Sequence, residues 1–152
     1  MTKLQRLFDE QGQSPWLDNL TRACLHDGTL ARMVAEGVRG VTANLTIFAR
    51  TIEGSAPYDD QVAALTAAGR RVLDAYRDLV VDDVLAALRV LRPTYHSSGG
   101  TDGYVSIEVA PEVTRDTRAT IEAARALHRR MDQPNLFVKI PATVEGVPAT
   151  RP

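Results

Sequence analysis

Residues 104–109 read YVSIEV and residues 135–140 read NLFVKI, and these two short stretches decide the fold. Each is an apolar run with one charged residue near its end, Glu108 in the first and Lys139 in the second. Strands of a parallel sheet are covered on both faces, so they form nearly continuous apolar runs. We therefore predict two parallel strands, at 104–109 and 135–140.

Two earlier stretches, 14–18 and 40–44, have the same character and are predicted to be strands as well. Between the strands, apolar residues recur at helical spacing. The predicted helices are 3–11, 21–26, 29–37, 45–53, 58–68, 70–91 and 117–131. Asp82 is expected to cap a second helix within 70–91, and Arg92-Pro93 with the SSGGTDG stretch to mark a loop. The alternation predicts an α/β protein with four parallel strands, helices on one face, and a single domain over 1–152.

One polar residue stands at or near the carboxyl end of each predicted strand: Asp18, Asn44, Glu108 and Lys139. Ligand sites of parallel α/β sheets lie at that edge. Taken singly, each has an ordinary explanation. Asp18 and Asn44 fit turns or caps, Glu108 could face water, and Lys139 could pair with Glu108 or Asp18. The four together predict a functional site.

Lys139 is one of only two lysines in a chain that has 16 arginines. Its apolar neighbours in the strand predict a buried amine, with a pKa lowered from its usual value of about 10.4. A neutral lysine amine can attack a carbonyl and form a Schiff base, whereas arginine stays protonated. Two carboxylates in different environments can then divide the proton transfers.

Composition excludes several classes of protein. The formal net charge of −1 gives no global attraction to nucleic acid or to anionic membranes. No apolar run approaches the roughly 18 residues of a membrane-spanning helix. Cys24 is the only cysteine, so no internal disulfide can form, and the three histidines do not group with it as metal ligands. We predict a cytoplasmic protein with no metal and no nucleic-acid partner.

Four motifs resemble the first four strand motifs of the transaldolase family, in its bacterial long form. The resemblance extends over essentially the whole chain, and its motifs are SPWLDNLTR (14–22), GVTANLTIF (40–48), YVSIEVAPEV (104–113) and NLFVKIPAT (135–143). It implies a (β/α)8 barrel, a Schiff-base mechanism without a cofactor, and sugar-phosphate substrates. A dihydroxyacetone unit would pass between fructose 6-phosphate or sedoheptulose 7-phosphate and erythrose 4-phosphate or glyceraldehyde 3-phosphate.

The resemblance also implies a role for each strand-end residue. Lys139 matches the Schiff-base lysine. Asp18 matches the carboxylate that takes the proton from the C4 hydroxyl, and Glu108 the acid/base that acts through a water molecule. Asn44 matches the residue that hydrogen-bonds the dihydroxyacetone hydroxyls.

The sequence departs from the family pattern beside these residues. Ala43 and Leu45 stand where the family has threonine and proline around the asparagine. The stretch EVAPEV at 108–113 lacks the family's second acidic residue and its arginine. These changes affect the loops next to the site.

The chain is also shorter than a complete (β/α)8 barrel, which needs about 250 residues. It resembles the N-terminal half, with four of the eight strands and inserted helices. We therefore expect an isolated half-barrel to be impaired or inactive, and to form a homodimer or bind a complementing half. The alternatives are a non-catalytic half-barrel that serves as an interaction module, and an enzyme of the fructose-6-phosphate aldolase type.

Overall fold

The structure, a computed structural model, describes residues 1–151, apart from the side chains of residues 45–47. One departure from the family pattern, the side chain of Leu45, thus lies outside the described part. The sheet has four strands in the order β1 (Trp16–Leu17), β2 (Gly40–Ala43), β3 (Val105–Glu108) and β4 (Leu136–Lys139). All neighbouring pairs are parallel, which confirms the predicted α/β architecture. Each strand is shorter than predicted.

Helices connect the strands and precede the first of them. They are α1 (Lys3–Gln11), α2 (Arg22–His26), α3 (Thr29–Ala35), α4 (Leu45–Ile52), α5 (Asp59–Ala67), α6 (Val72–Ser97), α7 (Thr117–Met131) and α8 (Gly146–Ala149), with 3-10 turns at Ala56–Tyr58 and Pro111–Val113. In the part of the chain described, no helix is both long and apolar enough to cross a bilayer.

Helix α6 differs from the prediction, because it runs unbroken from Val72 to Ser97. The expected second cap at Asp82 and the expected loop at Arg92-Pro93 are both wrong. Buried residues continue through and beyond Asp82 along one side of the helix, so packing against the sheet favours a single element. Pro93 is exposed and close to the helix end, where the loss of one backbone hydrogen bond is tolerated.

Local sequence fixes the ends of two other helices. Thr2 and Gln5 form a capping box at the start of α1, and Gly12 ends that helix in the left-handed conformation. At the start of α7, the Asp116 carboxylate accepts a hydrogen bond from the backbone N–H of Ala119. Residues next to the helix ends therefore determine where α1 begins and ends and where α7 begins.

The core lies between the sheet and the helices. Strand residues Val41, Val105 and Ile107 are at most 1% exposed and pack with Leu88 and Leu91 of α6. Side chains alternate along a strand, so the intervening residues point to the other face of the sheet. The side chains on that face are Trp16, Asp18, Thr42, Asn44, Tyr104, Ser106, Glu108, Phe137 and Lys139. We call it the inner face.

A buried charged cluster joins α2 to α6. The Arg22 guanidinium donates to the Asp83 carboxylate at 2.7 Å and lies 4.1 Å above the Tyr58 ring. The Tyr58 hydroxyl donates to the same carboxylate, also at 2.7 Å. Burial raises the pKa of the Asp83 carboxyl, and the hydrogen bonds from Tyr58 and Arg22 offset only part of that rise. Removing either donor would leave a charge that is nearly inaccessible to water.

We expect Arg22→Met to lower the free energy of unfolding by about 3–5 kcal/mol at neutral pH, because it leaves the buried Asp83 carboxylate without its charged partner. Urea unfolding would measure this loss. Arg118→Met is the control, since Arg118 forms an exposed pair with Glu122 and its removal should change stability by less than about 0.5 kcal/mol.

The stability loss of Arg22→Met should depend on pH, in a direction that follows from the raised pKa of the Asp83 carboxyl. A carboxyl whose pKa is raised in the folded state contributes stability at low pH and loses it as the pH rises through that pKa. The deficit of Arg22→Met should therefore shrink as the pH falls from neutral towards acid. An equal loss in the Arg22→Met and Arg118→Met variants would show that Arg22 does not stabilise a buried charge on Asp83.

Candidate active site

The register between β3 and β4 brings the candidate lysine and a candidate carboxylate together. Glu108 and Lys139 are direct partners in the parallel ladder, and Lys139 Nζ lies 3.1 Å from Glu108 Oε1. Both residues end their strands, and both side chains project from the inner face. The pairing that the sequence left open for Lys139 is thus present.

The predicted burial of Lys139 is wrong. Its side chain is 45% exposed, and the Glu108 side chain is 24% exposed. The reason is the alternation along β4. Leu136 and Val138 pack towards the core, whereas Phe137 points with Lys139 to the inner face and is 47% exposed. Nothing in the described part of the chain covers that face enough to desolvate the amine.

The Lys139–Glu108 ion pair contributes little to stability. Pairs exposed to this degree are worth between about 0 and 1 kcal/mol, because water screens them and the side chains lose freedom. The fold therefore does not depend on a lysine at this position.

Asp18 and Asn44 lie at the same edge of the sheet. Asp18 directly follows β1, and its carboxylate accepts a hydrogen bond from the Thr42 hydroxyl on β2. Asn44 follows β2 and is half-buried, and its carbonyl accepts the backbone N–H of Phe48 as α4 begins. It comes one residue after the Ala43–Ile107 pair, which places it next to Glu108.

The four predicted residues thus share one edge and one face of the sheet. Direct contact with Lys139 is described for Glu108, while Asp18 is held by Thr42. Sequence reasoning missed Thr42. The available signal was its position, two residues before Asn44 on the same side of β2, where the other residues of the strand are apolar or glycine.

Sequence reasoning also missed a group of aromatic rings on the inner face. Trp16, Tyr104 and Phe137 stack there, with ring centroids 3.8 Å apart for Tyr104–Phe137 and 6.4 Å apart for Trp16–Phe137. We call these three residues the aromatic layer. Trp16 and Phe137 each stand two residues before a candidate residue, Asp18 and Lys139 respectively. The layer therefore lies on the face that carries the candidate site, towards the amino ends of the strands.

This geometry suits amine chemistry on a small carbonyl compound. An amine and a carboxylate within hydrogen-bond distance can exchange a proton as the amine attacks a carbonyl carbon. Both groups are accessible, so a substrate can approach them. A second carboxylate, Asp18, lies at the same edge with a separate partner and can serve a different proton transfer.

Comparisons with known proteins agree with this arrangement. The family model described as transaldolase/fructose-6-phosphate aldolase matches residues 15–152. A transaldolase of Acidothermus cellulolyticus is 50% identical over 139 residues, which are 91% of this chain and 37% of the relative. A transaldolase of Thiobacillus denitrificans is 48% identical over 91% of this chain and 39% of the relative. A transaldolase of Thermobifida fusca is 46% identical over 96% of this chain and 40% of the relative.

The chain thus spans about two fifths of the length of these relatives. The family match includes all four strands, and it includes Asp18, Asn44, Glu108 and Lys139. The four-stranded parallel sheet with its helices is accordingly part of a (β/α)8 barrel. The chain belongs to the transaldolase/fructose-6-phosphate aldolase family.

Proposed function

We propose that this chain carries the Schiff-base site of a transaldolase, which moves a dihydroxyacetone unit between sugar phosphates. The observation that supports this most directly is the 3.1 Å contact between Lys139 Nζ and Glu108 Oε1 at the carboxyl edge of the sheet. The names of the relatives give the same activity. The proposed donors are fructose 6-phosphate and sedoheptulose 7-phosphate, and the proposed acceptors are erythrose 4-phosphate and glyceraldehyde 3-phosphate.

In the proposed reaction, the neutral amine of Lys139 attacks the ketose carbonyl and forms a carbinolamine. Glu108 transfers the proton that lets hydroxide leave as water, which gives an iminium ion. Asp18 takes the proton from the C4 hydroxyl, the C3–C4 bond breaks, and its electron pair neutralises the iminium nitrogen. An aldose phosphate leaves, and an enamine of dihydroxyacetone stays on Lys139.

The second half reverses these steps on a different aldehyde. The enamine carbon attacks the acceptor carbonyl, the new alkoxide takes back the proton from Asp18, and water releases the new ketose phosphate. Asn44 is proposed to hold the dihydroxyacetone hydroxyls while the aldoses exchange. Every step is a proton transfer, an addition to a carbonyl or iminium carbon, or the reverse of such an addition, so the proposed chemistry needs no cofactor.

We further propose that the inner face is covered in the working protein by the rest of a barrel, either a second copy of the chain or a complementing half. Strands β1 and β4 are the edges of the sheet, and Phe137 is 47% exposed on the inner face. Covering that face would enclose the Lys139 amine beside Glu108 and keep bulk water away from the reacting groups.

We also propose that the protein is cytoplasmic. Cys24 is a free thiol, and free thiols are usual in the reducing cytoplasm.

The exposure of Lys139 also favours a second candidate, a half-barrel that associates with a partner but performs no chemistry by itself. The Lys139 side chain is 45% exposed, and ion pairs as exposed as the one it forms with Glu108 are common on protein surfaces, so the pair does not by itself require a catalytic role. Covalent trapping of the substrate separates the two candidates.

We expect fructose 6-phosphate with sodium borohydride to add covalent mass to Lys139, because hydride reduces the iminium to a stable secondary amine. Peptide mass spectrometry would locate the adduct. Two adduct masses are informative, since the whole ketose reports Schiff-base formation and a three-carbon unit reports cleavage of the C3–C4 bond. Lys139→Arg should abolish both, because the guanidinium stays protonated.

Lys3→Arg is the matched control, since Lys3 is the only other lysine and lies in α1. It should leave the labelling unchanged. Labelling that follows Lys3, or that persists in Lys139→Arg, would contradict the assigned nucleophile. No labelling at all would favour the non-catalytic candidate.

We expect the 152-residue chain to sediment as a dimer or a larger species, because its inner face and both sheet edges can be buried by association. Phe137→Lys should shift the protein towards the monomer in sedimentation velocity. Val72→Lys is the control, since Val72 is 87% exposed at the start of α6, away from the inner face. A monomer that unfolds cooperatively would contradict self-association.

A further inference from the structure

The Trp16 side chain crosses the inner face and joins the two edge strands of the sheet. Its ring lies over Gly40 of β2, and a Cβ atom at that position would overlap the indole. Beyond Gly40 it reaches Phe137 of β4, whose ring is nearly parallel to it, with an interplanar angle of 5°. Because β1 and β4 stand at opposite ends of the sheet, no ladder hydrogen bonds connect them. The aromatic layer makes that connection.

The indole is fixed at its polar end by a chain of hydrogen bonds. Trp16 Nε1 donates to Ser14 Oγ at 3.0 Å, and the Ser14 hydroxyl donates to the Asp102 carboxylate at 2.9 Å. Asp102 is only 6% exposed and also accepts from the Arg39 guanidinium and from the backbone N–H of Gly103. Buried and bonded in this way, the carboxylate holds Ser14, and Ser14 fixes the rotation of the indole.

The other end of the aromatic layer is fixed too. The Phe137 ring stacks on Tyr104 at 3.8 Å with an angle of 8°, and the Tyr104 hydroxyl donates to the carbonyl of Gly100 at 2.6 Å. Phe137 is therefore held between a tyrosine and a tryptophan that are each hydrogen-bonded. Stacking of this kind contributes about 0.5–1.5 kcal/mol per pair beyond the buried area.

We propose that Trp16, fixed by Ser14 and Asp102, is a positioning residue that sets the separation between Asp18, just after β1, and Lys139, at the end of β4. Asp18 follows Trp16 by two residues, and Lys139 follows Phe137 by two residues, so both pairs share the inner face. Displacing Trp16 moves the carboxylate relative to the amine. The consequence for the reaction rests on the proposed transaldolase function, whereas the geometric link does not.

The first test uses the fact that the chain has two lysines and one tryptophan. Ser14→Ala removes the acceptor for the indole N–H, so emission from Trp16 should shift as its ring loses its fixed position. In a chain carrying ¹³C-labelled lysine, NMR should show that the ε-methylene signal of Lys139 shifts as well. The signal of Lys3 serves as the internal reference and should not move.

The second test measures trapping by fructose 6-phosphate and borohydride in the same variants. Displacement of a reacting group costs rate rather than affinity, so Ser14→Ala should lower the labelling rate at saturating ketose about tenfold. The half-saturating concentration should stay within about twofold of that of the unmodified chain. Ser14→Thr keeps a hydroxyl and should restore the rate, and Ser97→Ala, an exposed serine of α6, should have no effect.

Each outcome decides one question. If the Trp16 emission shifts while the Lys139 signal and the labelling rate do not, the ring only packs and the inference is overturned. If the unmodified chain is never labelled, the proposed function fails, and the Lys139 signal still tests the geometric link. If Ser14→Ala does not fold, Trp16→Phe, which keeps a ring without the N–H, gives the same two lysine readouts.

Discussion

The candidate site depends on the parallel register of β3 against β4, which brings Glu108 and Lys139 together. Four consecutive pairs, from Val105–Leu136 to Glu108–Lys139, lock the two strands together. The register is set just before β4 begins, because Asn135 is fully buried and its amide donates to the carbonyls of Gly103 and Leu88 at 2.9 and 3.1 Å. If β4 shifted by one residue along β3, the Asn135 amide would lose these hydrogen bonds and the Lys139 side chain would point towards the core.

Much of this arrangement could be predicted from the chain. Each apolar run has one polar residue at or near its carboxyl end. This pattern predicted all four strands, their parallel direction and the edge that carries Asp18, Asn44, Glu108 and Lys139. Exact strand limits were less predictable. The ladder hydrogen bonds end before the predicted limits of each strand, and β1 consists only of Trp16–Leu17.

What could not be predicted depends on tertiary contacts. Local signals at Asp82 and Pro93 suggested breaks, but the apolar side of α6 packs continuously on the sheet and keeps one helix. The burial of Lys139 was inferred from its sequence neighbours, whereas it depends on what covers the inner face. The aromatic layer depends on a residue without a side chain, Gly40, which lets Trp16 reach across β2. No pattern in the sequence marks that crossing.

The length of α6 has a consequence for how the chain folds. With 26 residues, it extends over roughly 39 Å at 1.5 Å per residue, and it lies in the long connection between β2 and β3. The connections from β1 to β2 and from β3 to β4 are both much shorter. Closing a longer loop costs more conformational entropy, and contacts that are distant in sequence form more slowly. We therefore expect the β1–β2 pair and the β3–β4 pair to assemble first, and the central β2–β3 pair, whose strands are joined through α6, to form last. The candidate site has residues on both sides of that central pair, so it would be complete only at the end of folding.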